Sequence, residues 1–141
     1  MGYLPWAILA LVGYTLVPVL LRVATTGPNA VPSDVAVIIS NGVLIVLATG
    51  VVLGTEQRIT PHLSSPKLWY VLAGGLGLGV GILAYYRALA LGPVSVVTPV
   101  FGMFLVTSSV VGVVALGEPL TVRKVVGIGL AVVAVYLVTV E

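Results

Sequence analysis

Side chains able to do chemistry are few in this chain of 141 residues, and most sit inside apolar runs. They are Tyr14 and Thr15, Ser40 and Asn41, Tyr85 and Tyr86, Thr98, and Thr107, Ser108 and Ser109. Hydroxyls and amides in such text can hold a small solute by hydrogen bonds. Serine and threonine can instead bond a carbonyl of their own helix, so singly they carry little information. Asn41 differs, because its amide exceeds what local backbone can satisfy; it needs either a partner helix or a cavity. No nucleophile stands near a base, and no acidic or imidazole cluster offers a metal site. The single histidine, His62, lies in a polar connection and reads as a solvated side chain. With no cysteine, disulfides, thiolate metal sites and cysteine nucleophiles are excluded. The inventory supports binding and not catalysis: no enzyme, no metal and no cofactor is expected.

The elements that must carry these groups follow from composition. Hydrophobic residues make up 60% and charged residues 7%, against about 25% charged in ordinary soluble domains. Ten charged side chains cannot clothe a small globule. A soluble domain, a disordered chain and a nucleic-acid binder are all excluded. Five stretches approach the roughly 20 apolar residues that cross a bilayer: about 3–23, 35–54, 68–91, 94–116 and 122–140. These runs are too long for barrel strands and do not alternate apolar with polar residues. The first reads as a crossing and not as a leader, since no basic stretch precedes it. The expected fold is an all-α membrane protein, a single five-helix transmembrane domain over 1–141, with the lipid bilayer as its surroundings.

The connections are short. In the first, Ser33 or Asp34 could cap the second span. In the fourth, Glu118 is expected to cap the start of the fifth span, accepting from backbone N–H groups near Thr121 to Arg123. Asp34, Glu56, Glu118 and Glu141 all lie at span ends or in loops. No acid, lysine or histidine stands near mid-membrane, so a proton relay has no evident carrier. Arg87, about one turn inside the third span, could snorkel to the rim or bind an anion. Arg58, Lys67, Arg123 and Lys124 face Arg22 and Arg87 across the membrane. That small excess favours a cytoplasmic amino terminus while permitting insertion in both directions. Tyr3, Trp6, Trp69, Tyr70 and Tyr136 fall near span ends, as interfacial aromatics do.

Two local features shape the spans. Pro18 cannot donate to the Tyr14 carbonyl, nor Pro99 to that of Ser95. Each marks a kink, either static or serving as a hinge or a cavity acceptor. The third span contains Gly74, Gly75, Gly77, Gly79 and Gly81. Gly75 and Gly79 share one face; Gly77 and Gly81 lie nearly opposite, followed by Ala84 and Ala88. Such seams let helix backbones approach closely in lipid. A phosphate-cradling loop fails, because no strand precedes the glycines and no Lys-Ser/Thr follows them.

From Ala84 the chain reads Tyr85-Tyr86-Arg87-Ala88-Leu89-Ala90-Leu91-Gly92-Pro93, then Thr98-Pro99, then Leu116-Gly117-Glu118-Pro119-Leu120-Thr121, and Gly127 and Gly129 in the last span. This resembles an EamA-type repeat of the drug/metabolite transporter superfamily. The Gly117–Thr121 stretch before an apolar span is its most specific part. The resemblance implies a carrier of small organic metabolites working by alternating access, in a prokaryotic plasma membrane. Members commonly hold two such repeats; a single one implies a homodimer, in the antiparallel arrangement that inverted-repeat transporters use. Spans one, three and four would line its cavity, and under this resemblance Tyr14, Thr15, Asn41, Tyr85, Tyr86 and Thr98 are the candidate substrate-cavity residues. Two other classes compete: a small-multidrug-resistance-like cation exporter, disfavoured because the first span lacks that family's glutamate, and a non-transporting membrane subunit packed through the glycine seams.

Overall fold

The computed structural model describes residues 2–140 and is built from helices. Five segments are long and apolar enough to cross a membrane: Leu4–Thr25, Ser33–Gly54, Leu68–Leu91, Val94–Leu116 and Val122–Thr139. Their ends differ by at most two residues from the spans read off the sequence. At about 1.5 Å per residue they reach roughly 27 to 36 Å, which matches the ~30 Å hydrocarbon layer. Local chemistry accounts for their limits. The first span is two helices, α1 (Leu4–Thr15) and α2 (Val17–Thr25), parted at Leu16, two residues before Pro18. After α2 the chain turns through Gly27 and Asn29, both at positive φ. The Val31 N–H reaches back to the Ala24 carbonyl at 2.8 Å, closing the helix end.

Helix α3 is Ser33–Gly54, with Pro32 as its N-cap residue and no side-chain cap bond. The expected cap by Ser33 or Asp34 is thereby corrected: both lie inside the first turn. The fixed φ of Pro32 starts the helix, and the acid at Asp34 gains from the N-terminal dipole instead. A short 3₁₀ turn, Thr60–Ser64, precedes α4 (Leu68–Leu91).

The chain divides into two compact units, meeting in sequence between Leu91 and Gly92. In the first, α2, α3 and α4 pack against one another, whereas α1 lies against α2 alone among these helices. The second unit pairs α5 (Val94–Leu116) with α6 (Val122–Thr139). Pro99 is accommodated inside a continuous α5. Helix α5 ends at Gly117, whose φ of +67° is the left-handed cap that glycine adopts without a Cβ penalty. Helix α6 is capped by Thr121, whose hydroxyl accepts the Lys124 N–H at 3.3 Å. The cap expected of Glu118 is thus supplied by Thr121. Glu118 stands three residues too early, and its carboxylate meets the Lys124 ammonium at 3.5 Å.

Candidate functional site

In the first unit the buried residues among those described gather at one end. They are Pro18 and Thr25 on α2, Ala36 on α3, and Tyr85, Tyr86 and Leu89 on α4. This is the end where α2 finishes, α3 starts and α4 finishes, beside the 26–32 connection. Polar links cross between helices there. The Arg22 guanidinium donates to the Leu89 carbonyl at 2.6 Å, from α2 to α4. Arg87 meets Asp34 with two parallel bonds of 3.1 and 3.0 Å, joining α4 to α3. Ser40 and Tyr86 share a hydrogen bond of 2.9 Å between the same two helices. Away from this end the unit opens, since no Cα of α1 comes within 8 Å of α3 or α4.

The sequence-derived cavity residues fall into distinct settings. Tyr14, 64% exposed, stands just before the break at Leu16. Thr15 is exposed and turns its hydroxyl back to the Leu11 carbonyl. Asn41 is half-buried; its amide N–H bonds the Val37 carbonyl at 2.9 Å, which uses one of its donors and leaves its carbonyl oxygen for another partner. Tyr85 and Tyr86 are buried at the packed end. Thr98, half-buried, belongs to the second unit, one residue before Pro99.

Arg87, 62% exposed near the end of its span, is clamped bidentately on Asp34. Sequence reading missed this pair. The cue was present in an acid and a base at span ends on the same side of the membrane, 53 residues apart. The glycines of α4 also behave unexpectedly. A Cβ at Gly75, Gly77, Gly79 or Gly81 would meet no atom within 4 Å. Helix α4 packs on α2 and α3 through its last turns, and its glycine faces are open.

In the second unit a shallow groove of about 400 Å³ lies between α5 and α6. Leu105, Val106 and Ile128 form its apolar wall; Ser109, Glu118 and Lys124 supply polar groups. The Glu118–Lys124 pair spends that charge internally. Among the described residues no group of three histidines, acids or cysteines could hold a metal.

Among the described residues the arrangement is one of apolar spans carrying hydrogen-bonding side chains, with one tied helix end. Comparison with known proteins gives its family. The family model for EamA-like transporters matches residues 1–140. A Sinorhizobium protein described as an uncharacterized transporter in the cobO 3' region is 32% identical over 124 residues, covering 87% of this chain and 86% of that protein. No solved structure matches the chain. A match over nearly every residue, with a transporter relative of similar length, means that this chain belongs to the EamA-like transporter family.

Proposed function

We propose that the protein carries small organic metabolites across a prokaryotic plasma membrane by alternating access, as an antiparallel homodimer of five-helix repeats. The observation that carries the dimer is the exposure of the spans. In the most apolar window of each, no more than 6% is buried. Faces this exposed are available to lipid and to a second copy of the repeat. Inverted repeats would pair such faces around a midplane site. Within the first unit, Tyr14, Thr15 and Asn41 are the groups that bind solute. They offer an aromatic face, a hydroxyl and an amide, and suit polar, uncharged parts of an organic molecule.

Two experiments test this reading. Proteoliposomes holding the purified protein alone should show saturable uptake of at least one member of a panel of amino acids, organic cations, nucleosides and sugars. No flux across the panel would count against a self-sufficient carrier. For orientation, Ser65→Cys and Thr26→Cys each place one thiol in a chain without native cysteine. Comparable partial labelling of both by an impermeant reagent in intact cells supports the antiparallel dimer. Near-complete labelling of one and none of the other overturns it.

A further inference from the structure

Leu89 is fully buried, with 0% of its surface exposed. In a continuing α-helix its carbonyl would accept the N–H four residues on. That residue is Pro93, which has no N–H. A buried carbonyl must find another donor, and the Arg22 guanidinium reaches it from α2 at 2.6 Å. Arg22 thus closes the α4 end from outside that helix. Two residues earlier on α4, Arg87 holds Asp34 of α3, and beside it Tyr86 holds Ser40. Three helices are tied at one end by side chains from each of them, around the buried residues of the unit. Beyond Leu16, α1 leaves the bundle.

We propose that Arg22, Asp34, Ser40, Tyr86 and Arg87 form a latch that shuts this end of the first unit, and that its release is the step that opens this side to solute. The inference rests on the transporter reading above and names its gate. The parts suit a device that must both hold and let go. The Asp34–Arg87 pair is well aligned, yet its side chains are 53% and 62% exposed, so water can take over their bonds at small cost. The Ser40–Tyr86 bond joins two neutral groups and is similarly reversible. The Arg22 bond is the firmer member, because the Leu89 carbonyl is out of reach of water. The break at Leu16 lets α2 move with the latch without moving α1, as hinges at element ends do.

The test uses Ala36→Cys, a buried position 7% exposed on the first turns of α3, in the full-length chain in proteoliposomes. An impermeant methanethiosulfonate reagent, added to both faces, reads how often this end opens. In the parent Ala36→Cys protein labelling is slow. Asp34→Asn and Arg22→Gln should each raise the rate about threefold or more. The exchange Asp34→Arg with Arg87→Asp should bring it back toward the parent, which general loosening would not do. If Asp34→Asn fails to fold, Arg87→Lys, which keeps the charge and loses the fork, gives the same reading. A transported solute should itself change the rate in the parent. Parent labelling as fast as the variants, an exchange as open as the single changes, or a rate indifferent to a transported solute would each overturn the latch. The labelling of the variants needs no solute. Absence of flux would therefore sink the carrier reading alone, and unaltered labelling beside robust flux would sink the latch alone.

Discussion

Replacing Arg22 by methionine keeps most of the aliphatic stem and removes the guanidinium. The Leu89 carbonyl then loses its donor while staying buried, and Pro93 cannot substitute. A hydrogen bond to a charged group contributes about 1.5–3 kcal/mol, and leaving a buried acceptor unmade costs a similar amount. A loss of about 2 kcal/mol is therefore expected, roughly thirtyfold in the folded-to-unfolded ratio. For a chain of this size that lowers the thermal midpoint by roughly 6–10 °C. Circular dichroism of the detergent-purified protein, read at the helical minimum, measures it directly. Arg22→Lys should fall between, because an ammonium on a shorter stem can donate but lacks the planar fork. A midpoint for Arg22→Met within about 1 °C of the parent would show that water or backbone satisfies the carbonyl, and would refute the argument.

Other outcomes follow from the same structure. Thr121→Val removes the α6 cap and should cost about 1 kcal/mol, while Thr121→Ser keeps it; the same thermal assay decides. Gly117→Ala puts a Cβ at a φ of +67° and should lose about 1 kcal/mol. Gly77→Leu and Gly79→Leu meet open space within the chain. They should leave the detergent midpoint of the monomer unchanged, or slightly higher through better helix propensity, yet reduce the dimer captured by amine cross-linking in membranes. Full dimer yield from both would place the glycine faces against lipid instead of a second copy.

Much of the architecture was legible in the residues. The five spans follow from apolar runs near the bilayer's length. The division at Leu16 follows from the N–H that Pro18 lacks, and the α5 end from a glycine at a left-handed turn. The last two depend on groups within about five residues of one another, close to the reach of helix hydrogen bonding. The caps show where such reading slips. Glu118 and Thr121 both precede α6, and both can accept a backbone N–H. The first helical residue, fixed by where the turn from Gly117 ends, selected Thr121 and freed Glu118 for Lys124.

Which side chains meet across helices was a tertiary matter. Asp34 and Arg87 looked like independent rim charges, and Arg22 like one more vote on orientation. Only the packing of α2, α3 and α4 at one end made them partners, 53 and 67 residues apart along the chain. It also buried Tyr85 and Tyr86 while leaving Tyr14 exposed, although all three read alike as tyrosines in apolar text. The physical reason is that hydropathy tells a span from a loop but barely distinguishes one apolar face from another. In lipid, where tails are as apolar as leucine, helix pairing is decided by close packing and by the few polar groups that must find each other.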